Sequence, residues 1–209
     1  MQILELGGEL PKPDNWTVIN LPEYDFTHLP LPFEDNAFDA IYIEHCIEHF
    51  YRYQGINIFK EAYRLLKPDG VFRCAWPAGD LIEWLTSSED LSKHTYVEHY
   101  MHTWRVLLSK QIWYNKPDSK RSLQENVALQ QLHQEGEHKY MWYVDELKDA
   151  LGECGFKGIT RRRHDQSYID DFKEVEDFRH SVRAMETSIV EAKKSESFKN
   201  IGIKIKNVA

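Results

Sequence analysis

Long apolar runs are missing from this 209-residue chain: no stretch of about 18 residues is apolar enough to span a bilayer, and no basic segment leads into an apolar one near its start. Neither a membrane anchor nor a secretory leader is expected. Cysteine is scarce as well. Cys46, Cys74 and Cys154 are odd in number, widely separated and set among apolar residues, a pattern of reduced core thiols rather than of a disulfide framework or a structural zinc site. Clustered positive charge is also lacking. The net charge is −8 and the lysines and arginines are scattered, which argues against a nucleic-acid footprint or a stripe for anionic membranes. No GxGxxG and no phosphate-binding loop occurs, so a dinucleotide or nucleoside-triphosphate cradle is not expected. There is no internal repeat and no low-complexity segment. The expectation is a cytoplasmic protein whose partner is a small molecule or another protein, with the oligomeric state open.

What is present suffices for one core. Hydrophobic residues make up 42% of the chain and aromatics 13%, enough for a single domain over 1–209. Residues 2–6 (QILEL) and 17–21 (TVINL) read as short strands, separated by Pro11, Pro13, Asp14 and Asn15, a segment too rich in turn formers to be helical. Two strands so close in sequence are unusual, because a parallel pair generally needs a crossover of a dozen or more residues. Residues 38–43 (FDAIYI) form a third apolar run. Over 54–66, Ile56, Phe59, Ala62, Tyr63 and Leu66 recur at helical spacing. The turn KPDG follows, then a strand over 71–77 closed by Pro77. Strand, helix, turn, strand is the pattern of a right-handed βαβ unit, and it predicts a Rossmann-like α/β fold with a mostly parallel sheet flanked by helices.

From about 80 to 140 aromatics and histidines mix with polar residues and no strand pattern is visible, which predicts a helical insertion or lid whose turn falls at 115–119 (NKPDS). A short amphipathic helix is expected over 144–156, with Asp145 as N-cap, Leu147 and Leu151 facing the core and Gly155 at the C-terminal cap. Residues 157–164 and 187–193 read as the last strands. The tail over 194–209 alternates and would add an edge strand guarded by lysines.

LPFEDNAFDAIYIEHCIEHF (31–50) followed by EAYRLLKPDGVFRCAWP (61–77) resembles the middle of class I S-adenosylmethionine-dependent methyltransferases of the small type 11-like group. HKYMWYVDELKDALGECGF (138–156) and TSIVEAKK (187–194) are similar to later stretches of such proteins. The resemblance implies S-adenosylmethionine as cofactor and methyl transfer to a small-molecule acceptor, such as a saccharide or metabolite hydroxyl. It implies that Glu5, Gly7 and Gly8, in the stretch LELGGELP, sit where the family's first motif approaches the methionine part of the cofactor. Only glycine combines close approach with unusual dihedrals. It places Asp25 and Phe26 at the adenine, and Glu44 and His45 at the carboxyl end of a strand, where ligands sit in open α/β sheets. Two residues depart from the pattern. Glu9 replaces a further glycine, and Asn20 stands where a carboxylate usually grips the ribose hydroxyls, a stronger partner than an amide. These departures motivate the alternative, a methyltransferase-like binding or scaffold protein without useful cofactor affinity.

Methyl transfer requires alignment of a nucleophile and, where it is protonated, removal of a proton. His45 is the first candidate for that proton. His49, four residues on, shares a helical face with it and has a capping or packing role as its plainer reading. His138 lies after the expected lid and is either substrate-facing or a surface histidine. His94, His99 and His102 have helical spacing but no accompanying carboxylate or cysteine set, so packing is the expectation and no metal is assigned. Arg161, Arg162 and Arg163 read as a solvated strand or an anionic grip, with Arg162 pointing opposite to its neighbours. The aromatics of the insertion read as core or as a stacking surface.

Overall fold

In the computed structural model, residues 1–8, 12–100, 102, 120–173, 175–176 and 181–195 are described. Six strands form one sheet: β1 Ile3–Leu6, β2 Trp16–Ile19, β3 Phe38–Glu44, β4 Leu66–Pro77, β5 Phe156–Arg162 and β6 Thr187–Lys194. Their order is β2-β1-β3-β4-β6-β5. The first four strands run parallel, and β6 is antiparallel to both β4 and β5. Helices are α1 Arg52–Leu65, α2 Gly79–Leu85, α3 Leu123–His133, α4 Val144–Glu153 and α5 Ser181–Glu186. This is the Rossmann-like, mostly parallel architecture that the periodicity implied. Among the described residues no helix is long and apolar enough to cross a membrane.

Alternation along the strands divides the core. Leu4, Leu6, Ile41, Ile43, Phe72, Cys74, Trp76, Val190 and Ala192 face one side and pack against Ile58, Phe59, Ala62 and Leu65 of α1 and Leu147, Ala150 and Leu151 of α4. The intervening residues Ile3, Ala40, Tyr42 and Val71 face the other side, where Phe172 and the partly buried Tyr168 and Ile169 cover them. The cover on that second face includes a largely irregular segment with one short 3-10 turn over Asp170–Phe172. The two close strands do pair in parallel, joined by residues 7–15. The neighbours are only four residues long, so a short connection spans them without a long crossover.

Several local expectations shift. The buried face of α1 is Gly55, Ile58, Phe59, Ala62 and Leu65, and Leu66 already belongs to β4; β-branched and aromatic residues at neighbouring positions made the phase ambiguous. The KPDG turn is a distortion within β4, where Asp69 takes φ +63° and the register to β3 slips between Phe38 and Ala40. Asp145 is not the N-cap of α4. Tyr143 is, and the otherwise unpaired N–H of Val144, at the first helical position, donates to Asp80 Oδ2 at 2.9 Å. Gly155 does follow the end of α4 with φ +101°. The expected lid turn at 115–119 and the tail beyond Ser195 lie outside the described residues.

The second face carries a buried ionic network. Arg73, in the middle of β4, donates to both oxygens of Glu176 at 2.6 and 2.8 Å and to Glu191 Oε1 of β6 at 2.8 Å, with all three side chains fully buried. Glu191 also accepts from Ser167 Oγ, the Tyr168 N–H and Arg162 Nε. The network pins the irregular cover to the sheet. Such a cluster adds little over apolar packing of the same volume, but removing one partner strands the rest in low dielectric. Arg73→Met is therefore expected to destabilise the protein by about 3–5 kcal/mol in urea unfolding, whereas Arg163→Met, whose partner Asp165 is exposed, leaves the midpoint where it is.

Candidate functional site: a cleft and a cavity divided by histidines

From β1 the chain passes to β2 on one side and then back to β3 on the other. Such a reversal opens a crevice at the carboxyl ends of the strands, where open α/β sheets bind ligands. Gly7 ends β1 there with φ +82°, its N–H donating to the Ile19 carbonyl at 2.9 Å. A Cβ on Gly7 would lie 2.6 Å from Cys46 Sγ, and one on Gly8 would lie 2.4 Å from the carboxyl carbon of Glu5. Gly7 needs glycine, for its left-handed φ and the Cys46 side chain leave no place for a Cβ, whereas at Gly8 the obstacle is the far end of the Glu5 side chain. Glu5 lies beneath this turn, 3% exposed, 3.4 Å from Lys12 Nζ. Burial raises its pKa and Lys12 opposes the rise. Glu9 lies outside the described residues.

The cleft holds about 190 Å³ and is lined by Gly7, Asn20, Asp25, Phe26, His45 and His49, joined by Leu21, Cys46 and Phe50. Most residues singled out in the sequence therefore converge. Asn20 is already engaged: its Nδ2 donates to the Gly8 carbonyl at 3.2 Å, and its Oδ1 accepts from the Leu21 N–H at 2.8 Å. The amide staples the ends of β1 and β2 together. Asp25 caps its own turn through the Thr27 N–H and hydroxyl, which hold its carboxyl below the usual range, and it meets His28 Nδ1 at 2.8 Å. Phe26 is buried beside Phe50. Glu44 is not among the lining residues; it turns to the Tyr42 hydroxyl at 3.0 Å and to Arg183 at 3.5 Å.

Three histidines close the inner end. His45, just after β3, has φ +44°, a left-handed conformation that costs about 1–2 kcal/mol outside glycine and is held by its N–H bond to the Ala75 carbonyl at 2.8 Å. Its Nε2 meets the Thr187 hydroxyl at 2.8 Å, and that hydroxyl donates to the Arg183 carbonyl at 2.7 Å. The hydroxyl hydrogen is thus used, so His45 Nε2 carries the proton and Nδ1 is the lone-pair nitrogen. That nitrogen lies 3.7 Å from Oε1 of Glu48, which is 1% exposed. Burial pushes Glu48 up to about 8, and burial with Arg183 nearby pushes His45 down to about 3. Near neutral pH the pair is uncharged.

His138 reaches this place through a backbone strap. The N–H groups of Lys139 and Tyr140 donate to the Glu48 carbonyl at 2.8 and 3.2 Å, and the Trp142 carbonyl accepts from Gly79 N and Trp76 Nε1, each at 2.9 Å. The rings of His49 and His138 meet edge to face at 5.2 Å. Behind them opens a second cavity of about 360 Å³, lined by Gly79, Ile82, His138, Tyr140, Met141 and Tyr143 among others. The two histidines stand between cleft and cavity, which sequence reasoning did not foresee. Farther off, Tyr96 and Val97 pack with Leu81, Leu85, Leu91 and Val127 in a small core of their own, with Trp84 and Tyr100 against it. His94 rests on Trp84, while His99 and His102 are exposed. Arg162 lies over Tyr168 and pairs with Glu191 at 3.2 Å.

The fold is that of a Rossmann-like α/β protein with a crevice at the carboxyl ends of its parallel strands. Residues 8–74 match the family model of the methyltransferase domain, so the motifs of β2, β3, α1 and the start of β4 carry a methyltransferase signature, consistent with class I. No curated protein matches the chain. Similar solved structures include the complex between the Haloferax volcanii Trm112 methyltransferase activator and the putative methyltransferase (13% identity, 93% of this chain, 83% of that one, TM-score 0.48). They also include the CurJ carbon methyltransferase (10% identity, 93% of this chain, TM-score 0.48), of whose length the chain spans 48%. A putative methyltransferase of Bacillus halodurans C-125 is 15% identical over 93% of this chain and 92% of that one, with a TM-score of 0.44. The match to the methyltransferase family model implies S-adenosylmethionine as cofactor, and Gly7, which lines the cleft without a side chain, fits a ligand that must approach the backbone closely. Gly7→Ala is expected to lower stability by about 1–3 kcal/mol through its left-handed φ and to abolish cofactor binding, read by thermal melts with and without S-adenosylhomocysteine.

Proposed function

We propose that this chain transfers the methyl group of S-adenosylmethionine to a small-molecule hydroxyl, such as that of a saccharide or metabolite. The observation that carries the reading is the pair of spaces, cleft and cavity, meeting at His49 and His138. Gly7 and Gly8, above Glu5, would receive the methionine part. Asp25 and Phe26 would hold the adenine, the carboxylate accepting from its amino group, and Asn20 would keep the β2 end in place beside the ribose while Glu44 anchors Arg183 behind the site. The cleft takes part of such a ligand, and the rest lies over its open rim.

Bound there, the cofactor supplies a sulfonium-activated methyl group. The protein must then align the acceptor oxygen with that carbon and accept its proton. The cavity's size suits a small metabolite, and Tyr140 and Tyr143 give it faces on which a sugar or other ring can stack. We read Ile82, Leu132 and His133, which line this cavity from the region over 80–140, as part of its acceptor-side wall. An oxygen reaching from the cavity past the His49–His138 edge meets the inner end of the cleft. There the imidazoles of His45, His49 and His138 are the groups available to position the acceptor and relay its proton.

Calorimetric titration with S-adenosylmethionine and S-adenosylhomocysteine tests the reading. Micromolar affinity, about −8 kcal/mol, is expected. Asp25→Ala, at an exposed turn that the core does not depend on, is expected to weaken it by about tenfold or more, since a charge-assisted bond to the ligand is lost. No heat from folded wild-type protein would sink the enzyme reading in favour of a cofactor-free scaffold, and an unchanged affinity in the Asp25 variant would remove Asp25 from the adenine site.

A further inference from the structure

Glu48, His49 and His138 bring three potential donor atoms within 4.8 Å of one another. Hydrogen bonds at the far nitrogen of each imidazole leave the other nitrogen of both rings as the one with a lone pair. His138 Nδ1 meets the Gln131 carbonyl at 2.6 Å, and a carbonyl can only accept, so Nδ1 carries the proton and Nε2 keeps its lone pair. His49 Nδ1 meets the Glu137 carbonyl at 3.2 Å, and the same reasoning leaves Nε2 free, 4.0 Å from Glu48 Oε1. Imidazoles held by a carbonyl at the far nitrogen are the usual outer-shell arrangement of metal-bound histidine. Glu48 Oε2, buried with its side chain 1% exposed, has no hydrogen-bond partner among the described residues. His45 adds a fourth lone pair, its Nδ1 lying 3.7 Å from the same carboxylate. Three imidazole lone pairs thus converge on one buried carboxyl group, a donor set that a cation can share.

We propose that Glu48, His49 and His138 bind a divalent transition-metal ion at the junction of the cleft and the cavity. Two imidazoles and one carboxylate suit zinc, iron(II) or cobalt(II) rather than magnesium or calcium, which prefer all-oxygen shells. Donors about 2.1 Å from a tetrahedral centre stand about 3.4 Å apart, so the cluster needs only a small side-chain contraction. Three protein ligands leave a coordination position open, here facing the route by which an acceptor oxygen enters. Resting on the methyl-transfer reading, the ion's role is to hold that oxygen and lower the pKa of its hydroxyl. With their lone pairs on the ion, His49 and His138 position the oxygen and do not take its proton, which passes to water; the oxygen bonds to the methyl carbon, and the C–S electron pair stays on sulfur.

Cobalt(II) and zinc(II), added separately to chelator-stripped protein, test the site. Cobalt is followed by its visible absorption and both ions by calorimetry. One equivalent is expected to bind, with affinity falling by at least about tenfold in His138→Asn and in Glu48→Gln, while His99→Asn, at an exposed histidine outside the cluster, binds as wild type. Circular dichroism checks that each variant is folded; should the Glu48 variant not fold, His138→Asn decides alone. Absence of stoichiometric binding to folded wild-type protein, or equal binding by His138→Asn, overturns the proposal. Metal binding without S-adenosylhomocysteine binding upholds the metal site and removes the methyl-transfer reading; cofactor binding without metal binding does the reverse.

Discussion

The hydrogen bonds that tie Lys139 and Tyr140 to the Glu48 carbonyl, and the Trp142 carbonyl to the Trp76 indole and the Gly79 N–H, are the constraint on which the rest of the site depends. They join two segments remote in sequence: the turn after β3, whose Glu48 and His49 sit under the cleft, and the strap that delivers His138. Without them the cavity loses a wall and the histidines lose each other. Trp142 secures the strap twice, its ring wedged against Phe59 and Tyr140 in the main core and its carbonyl bridging β4 to α2. A buried backbone carbonyl with two donors is a fixed point, because releasing it would leave polar groups unpaired in an apolar interior.

The cleft follows from a different economy. Gly7 gives it a stretch of bare backbone, since the left-handed φ and Cys46 leave no room there for a Cβ, and its neighbours are engaged with one another: Asn20 with Gly8 and Leu21, Asp25 with Thr27 and His28. Polar groups already held in place lose little further freedom when a ligand arrives, which is how a surface of turns becomes a preorganised site.

The order of strands and helices was legible because apolar residues alternate or recur at helical spacing over most elements, and the turn residues between them are unambiguous. The cleft was legible in Gly7, Asn20, Asp25, Phe26 and His45, which share a short region of sequence. Other features were hidden for physical reasons. Arg73 and Glu191 sit mid-strand and read as solvated charges, and only the contact between β4 and β6 reveals that they neutralise each other in the dark. Asp145 looks like a cap, yet a side chain from α2 does that work. Glu48 and His49 carry no sign of His138, since that meeting depends on a strap held to them by its backbone N–H groups.

The pairing of β4 with β6 has a consequence for how the chain folds as it is made. β4 is a central strand, with Val71, Phe72, Cys74, Ala75 and Trp76 fully or almost fully buried, yet its second neighbour comes from residues 187–194. Everything between must be synthesised before that edge is covered. β3, α1 and β4 can dock early from local contacts, while the open side of β4 waits as a long apolar strand edge on the nascent protein, the kind of edge that pairs with other chains. The charge of Arg73, set in the middle of that run before Glu176 and Glu191 have arrived to bury it, is well placed to keep the waiting edge solvated until its partner emerges.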